Sequence, residues 1–225
     1  MNVWASLAIR AAYQELLPAF VRSSKVKVDT QWVGMADIRK RILAGEATDV
    51  VIGSAGLIED LINGGNFDSR TRVDLANSEV GAAVRSCAPK PDIGSVEALK
   101  SALRAAQSIV YSSGPSGIYL AELFQRLGIA EELKSKARQA PPGVLVGELV
   151  ARGDFELCFQ QVPELRQVRG IDYVGRLPRE VQLSTVFSGA VHSRSAQSKP
   201  AGELLQHLAS RDAQRVLRKH GLEPA

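Results

Sequence analysis

The residues best suited to chemistry in this chain are Ser112-Ser113-Gly114-Pro115-Ser116-Gly117, set between the apolar run 108–111 and a helical pattern that opens at Ile118-Tyr119-Leu120-Ala121. A strand that turns through small hydroxyl residues and glycines into a helix presents hydroxyls and backbone N–H groups at the positive end of the helix dipole, which suits an anion. Taken alone, such a loop is explained at least as well by a tight turn with a helix cap. The elements around it decide between the two readings.

Asn2-Val3-Trp4-Ala5 reads as a short strand, and Ser6 stands as N-cap before a helical pattern over 7–21. Val26, Val28 and Thr30 alternate with Lys27 and Asp29 in a half-exposed strand. Gly34-Met35-Ala36 then turns the chain into a helix over 37–44, ended by Gly45. The stretch 49–53 is continuously apolar after Asp49, as in a parallel strand covered on both faces, and Ser54 caps a helix over 57–62. The first 65 residues thus read β-α-β-α-β-α, which predicts a parallel sheet with a site at the carboxyl ends of its strands. Ser6, Gly34 to Ala36 and Ser54 all fall at that edge.

A second α/β series follows the small-residue strand 80–84. Ser95 caps a helix over 96–106, a strand covers 108–111, and a helix over 118–127 stops at Gly128. Further helices are expected near 129–136 and 144–152, and strands at 155–160 and 171–174. Residues 182–190 read as a second long extended crossing, and two helices with apolar faces, 201–209 and 212–219, finish the chain. The order predicts an α/β protein of two lobes, the second inserted into the first: 1–79 with 188–225, and 80–187. Two crossings make a hinge on which lobes close over a ligand. With the 112–117 loop at the carboxyl edge of the second lobe, the anion-site reading is preferred over the plain turn.

Composition removes several classes of function. The 28 Lys+Arg and 24 Asp+Glu give a net charge of +4, and the basic residues are scattered instead of forming a stripe, so no nucleic-acid partner is expected. No apolar run approaches the ~20 residues of a membrane helix. No charged and apolar leader precedes the first strand, so the sequence as written is expected in the cytoplasm, or in the periplasm if a leader has been removed. Cys87 and Cys158 belong to no CxxC, which leaves a disulfide and two free thiols both open. His192, His207 and His220 are scattered, and without a Cys/His cluster or a carboxylate pair no metal or cofactor is expected. Ser116 lies in Gly-Pro-Ser-Gly and not in a Gly-x-Ser-x-Gly elbow, so a serine hydrolase is rejected.

Five segments together, Trp4-Ala5-Ser6-Leu7, Ala47-Thr48-Asp49-Val50-Val51-Ile52, Pro115-Ser116-Gly117-Ile118-Tyr119, Leu149-Val150-Ala151-Arg152-Gly153 and Leu208-Ala209-Ser210 through Gly221, resemble the molybdate-binding type of solute-binding protein over essentially the whole chain. The resemblance implies the type II periplasmic-binding-protein fold, two Rossmann-like α/β lobes hinged on two crossover strands. It also implies an oxyanion held by hydroxyls and backbone N–H groups without a basic side chain. Carried over by position, the ligand contacts fall on Ser6, on Met35-Ala36, on the central loop with Ser112, Ser113, Ser116 and Gly117, on Gly143, and on Gln160-Gln161. The family has a serine where Met35-Ala36 stands and a tyrosine where Gln160-Gln161 stands. Each hydrogen bond left unmade in a closed site costs about 1–3 kcal/mol. Met35 with Gln160 and Gln161 suits a larger organic carboxylate better than molybdate.

The bland readings stay open beside these: Ser6 as a cap only, Met35 as core filler, Gln160-Gln161 as an interdomain hydrogen bond. The expectation is a monomeric solute-binding protein of the ABC-transporter type, taking up a small anion, preferably an organic carboxylate, and delivering it to a permease. The competing expectation, drawn from proteins resembling this family, is an isomerase of a tricarboxylate such as aconitate. That chemistry needs a positioned acid/base, for which Tyr111, Tyr119 and His192 are the candidates near the predicted edges.

Overall fold

Strands alternate with one-sided helices along the chain, all of whose residues, 1–225, are described by the computed structural model. The chain divides into two compact units, Met1–Ser78 with Thr185–Ala225, and Glu79–Ser184. No helix is long and apolar enough to cross a membrane.

The first unit opens with β1 (Asn2–Ala5). The single helix expected from residue 7 is split into a 3-10 turn, Leu7–Ile9, and α1 (Arg10–Ser24), because the Ser6 hydroxyl accepts from Ala8 N and tightens the first turn. β2 (Asp29–Trp32) begins later than the alternation at Val26 suggests. It pairs in parallel with β1 from Asn2↔Asp29, so its start is fixed by where β1 starts. α2 (Met35–Leu43) follows Gly34 as N-cap, then β3 (Val50–Ser54), parallel to β1, and α3 (Ala55–Asn63). Side chains alternate across this sheet as the pleat requires. Val3, Ala5, Val50 and Ile52 face one apolar cluster with Ala12, Leu16 and Phe20, while Trp4 and Val51 face another with Ile38, Ile42, Leu57, Ile58 and Leu61.

β4 (Val73–Arg85) carries the chain from the first unit into the second. There follow α4 (Val96–Ala105), β5 (Ile109–Tyr111), α5 (Pro115–Arg126), α6 (Ala130–Leu133), β6 (Ala137–Gln139), α7 (Val146–Arg152), β7 (Leu157–Gln161), α8 (Val162–Arg166) and β8 (Ile171–Arg176). β5 lies parallel to both β6 and β7, and β4 pairs antiparallel with β7 and β8. The helix expected over 129–136 ends at Leu133, since the chain must extend again to add β6 at the sheet edge. Here too the strands alternate: Ile109, Leu157 and Phe159 pack with α4 and α5, Val110 and Cys158 with α7 and α8. Both cysteines are free, Cys87 exposed and Cys158 buried, and burial pushes the Cys158 thiol up to about 12.

β9 (Ser184–Val191) returns to the first unit antiparallel to β3, and α9 (Ser198–Leu208), α10 (Arg211–Lys219) and β10 (Glu223–Pro224) complete it. Leu204, Leu205, Leu208 and Leu217 bring α9 and α10 onto the α1 face.

Just before β9, Gln182 acts as a stand-in for backbone. Its Oε1 accepts from Val80 N at 3.0 Å and its Nε2 donates to Val80 O at 3.0 Å, which fastens the chain to fully buried Val80 of β4. Gln182→Ala leaves the Val80 N–H unpaired and is expected to lower the unfolding free energy by about 1–3 kcal/mol. Urea unfolding measures this, and an unchanged midpoint would refute it.

Candidate functional site

In the first unit, register decides which residues meet. Ala5 stands opposite both Trp32 and Ile52, so the residues that follow, Ser6, Gly34 and Ser54, emerge side by side at the carboxyl edge. Two backbone bonds continue the pairing past the strands, Ser6 N to Ile52 O at 2.9 Å and Val33 N to Ala5 O at 3.0 Å. Each of the three opens a helical turn. Ser6 Oγ accepts from Ala8 N and Ser54 Oγ from Leu57 N, whereas Gly34 caps α2 without a side chain. A serine hydroxyl that accepts a cap N–H still has its own proton to donate. Ala36 is exposed in the first turn of α2, where N–H groups have no partner within the helix. The Met35 side chain packs against both apolar clusters of the unit, so the core takes most of it.

In the second unit, Tyr111 stands opposite both Gln139 and Phe159, which brings Ser112, Ala140 and Gln160 to one carboxyl edge. The helix there begins at Pro115, three residues before the Ile118 that hydropathy suggests, with Gly114 as N-cap and a proline in the first turn, where no N–H is needed. Ser116 and Gly117 are therefore helical. Ser112 Oγ and Ser116 Oγ, both buried, are hydrogen-bonded at 2.8 Å, and Ser113 beside them is half-buried. The loop folds back so tightly that a Cβ on Gly117 would lie 1.5 Å from the Ser112 carbonyl oxygen. Gln139 Nε2 donates to that same carbonyl at 3.3 Å.

Gly143 is exposed at φ +79° in the turn before α7. Next to it, buried Gln160 braces the backbone: its Oε1 accepts from Val146 N at 3.0 Å and its Nε2 donates to Val144 O at 3.5 Å. Gln161, also buried, is the N-cap of α8. The third residue of that helix is Glu164, 9 % exposed, whose carboxyl burial pushes up to about 8 against the pull of the Gln160 side chain and the Gln161 N–H. Sequence reading missed this acid. Its signal was the glutamate at the third helical position after a proline, the acidic half of a capping box.

The three acid/base candidates do not converge. The Tyr119 hydroxyl is committed to Val181 O at 2.8 Å, and the Tyr111 ring meets Phe124 edge-on at 5.8 Å. His192 lies at the wrong end of its sheet: β9 runs antiparallel to β3, so His192 follows the Val191↔Val50 pair and bonds to Asp49 O, at the amino edge. Antiparallel reversal, invisible in the local sequence, accounts for that misplacement.

Over residues 1–223 the chain matches the family described as bacterial extracellular solute-binding protein. It is 39% identical over 230 residues to an aconitate isomerase of a Pseudomonas species, covering 100% of this chain and 87% of that relative. The periplasmic molybdate-binding protein of Azotobacter vinelandii superposes with a TM-score of 0.82 at 15% identity, over 99% of this chain and 98% of that one. The sulfate-binding protein SubI of Mycobacterium tuberculosis H37Rv gives 0.82 at 19% identity, over 100% and 86%. The fold is thus that of the periplasmic binding proteins.

The close approach at Gly117 makes a sharp prediction. Gly117→Ala must displace the loop and is expected to lower Tm by roughly 2–12 °C, from an overpacking cost of about 1–3 kcal/mol. Gly114→Ala, whose Cβ meets nothing within 4 Å, should leave Tm nearly unchanged. Equal Tm values for the two variants in a thermal melt would contradict this account of the loop.

Proposed function

Because the chain belongs to the bacterial extracellular solute-binding protein family, we propose that it binds a small organic polycarboxylate at the second unit's carboxyl edge and delivers it to an ABC-transporter permease. The observation that carries this reading is the donor set of the second unit's edge. Serine hydroxyls, first-turn N–H groups and a braced backbone stand together there, and the side chains among them are uncharged hydroxyls and amides with one buried acid. Neutral donors fixed at a helix start stabilise negative charge without a paired cation. Two features favour an organic anion over a tetrahedral oxyanion. No hydroxyl is available at Met35-Ala36, and Ile118, 56% exposed in the first turn after Gly117, offers apolar surface that an inorganic dianion does not use.

The second reading is an isomerase of aconitate type. The 39% identity to the Pseudomonas aconitate isomerase, spanning all of this chain, favours it. Moving a double bond along such an acid requires a group that takes a proton from one carbon and one that returns it to another. With Tyr119 committed and His192 at the far edge, Glu164 is the titratable group at the second unit's edge placed near neutrality.

A thermal-shift screen of trans-aconitate, citrate, molybdate, sulfate and phosphate tests the first reading. A ligand present at a hundred times its Kd stabilises by about 2.7 kcal/mol, or roughly 5–10 °C for a chain of this size. That shift is expected with trans-aconitate or citrate, and its appearance with micromolar molybdate alone would sink the organic-anion reading. Incubation with trans-aconitate followed by proton NMR separates the two readings. Formation of the cis isomer establishes the isomerase, and its absence from a sample that binds trans-aconitate leaves a binding protein.

A further inference from the structure

Three arginines of the chain are half-buried, Arg10, Arg41 and Arg72, and two of them are neutralised. Arg41 pairs with Glu46 at 3.3 Å, and Arg72 with Glu59 at 2.9 Å and with Asp74 at 3.1 Å. Arg10 pairs with no acid. Its guanidinium lies over the Trp32 ring instead, 5.8 Å from the centroid. An aromatic face attracts and orients a guanidinium but leaves its N–H donors unspent.

The packing of α1 on β2 places this cation at the first unit's carboxyl edge. Tyr13 hydrogen-bonds to Thr30 at 2.8 Å and meets the Trp32 ring edge-on at 5.4 Å, whereas Arg10, one turn earlier on the helix, meets Trp32 alone. Going back one turn along α1, about 4.5 Å, thus goes forward two residues along β2, about 6.6 Å. Helix and strand run in opposite directions, and α1 begins where β2 ends. Trp32 is the last residue of β2, level with Ala5, and Ser6 stands four residues before Arg10. Side chains on a helix lean toward its N-terminus, so Arg10 leans toward the edge that carries Ser6.

We propose that Arg10 binds a carboxylate at the first unit's carboxyl edge and makes the chain selective for ligands that carry one. The planar guanidinium presents paired N–H groups that match the two coplanar oxygens of a carboxylate. Trp32 holds that fork in place before the ligand arrives, so little side-chain freedom is lost on binding. That the anion is a carboxylate rests on the organic-anion reading. The molybdate-type pattern holds its anion without a basic side chain and has a serine at the turn after β2. This edge has Met35-Ala36 in that turn and Arg10 beside it, a hydroxyl fewer and a positive charge more.

Titration calorimetry with trans-aconitate, citrate, molybdate and sulfate on the wild-type chain, Arg10→Gln and Arg10→Lys tests this. Arg10→Gln keeps a donor amide and loses the charge, and is expected to bind trans-aconitate and citrate about tenfold or more weakly than wild type. Arg10→Lys keeps the charge without the fork and should lose less. A second measurement uses the wild-type chain alone. Phenylglyoxal modifies arginine side chains, and peptide mass spectrometry follows the rate at each one. With trans-aconitate on nine-tenths of the sites, modification of Arg10 should slow about tenfold, in proportion to the free fraction, while Arg22, near the other end of α1, should be unaffected. If the wild type binds trans-aconitate or citrate and Arg10→Gln binds them within about twofold, the proposal is overturned and the organic-anion reading stands. Equal losses in Arg10→Gln and Arg10→Lys would assign the effect to packing on Trp32 and overturn it as well. So would modification of Arg10 that bound ligand slows no more than that of Arg22, whether or not the variants fold. Binding of molybdate or sulfate alone would remove the organic-anion reading and the carboxylate with it, and binding of none of the four probes would remove both.

Discussion

Parallel pairing in tight register is the constraint on which the rest of this molecule depends. Because Ala5 is level with Trp32 and Ile52, and Tyr111 with Gln139 and Phe159, the six strands end together in threes. Within each unit, the residues that follow are brought to one edge. Each helix that starts there has first-turn N–H groups without a partner inside the helix, at the positive end of its dipole. A slip of one residue in any of these pairings would send the strand's apolar side chains to the opposite face and carry Ser6, Ser54 or Ser112 out of the row. The core that fixes the register, with Val3 and Ile52 on one face and Trp4 and Val51 on the other, is thus what aims the polar groups.

Holding polar groups at such an edge has a cost that the structure meets locally. Ser112 and Ser116 are almost fully buried, and their hydroxyls satisfy one another at 2.8 Å. That contact exists only because the loop returns on itself at Gly117, where even a methyl group would strike the Ser112 carbonyl. The same loop is steadied from the neighbouring strand by Gln139, and the turn before α7 by Gln160. Preorganised donors of this kind lose little entropy when an anion arrives, which is where a site without a cation must find its affinity.

The α/β alternation and the carboxyl edges were legible in the sequence because apolar runs and small capping residues mark them directly. Ser6, Gly34, Ser54, Ser95 and the 112–117 loop each signal a helix start by residue type alone. What could not be read depends on distant partners. β6 is three residues with no apolar pattern and exists because β5 offers it an edge. The side of the sheet on which His192 emerges follows from β9 running against β3. Gln160 looks like a ligand contact by position, yet its amide is engaged with the 144–146 backbone, a role that only the folded turn reveals. Glu164, at the third position of α8, carries the local mark of a capping glutamate, but its burial depends on the packing of the folded unit and is not written in that mark.

Capping and ligand binding are often set against each other as explanations for a serine at a helix start, and the geometry here dissolves the choice. The N-cap hydroxyl of Ser6 uses a lone pair to accept from Ala8 N, and that of Ser54 does the same for Leu57 N. Acceptance consumes no proton, so each hydroxyl remains a donor whose direction is now fixed by the bond it accepts. A capped serine is therefore a better anion donor than a free one, since its oxygen is already held and polarised by the helix it caps. Gly34 caps α2 with no hydroxyl and leaves only backbone N–H groups at that place in the row. The first unit's edge thus offers hydroxyl donors at Ser6 and Ser54 and backbone donors alone at Gly34, each held in place by the helical turn it opens.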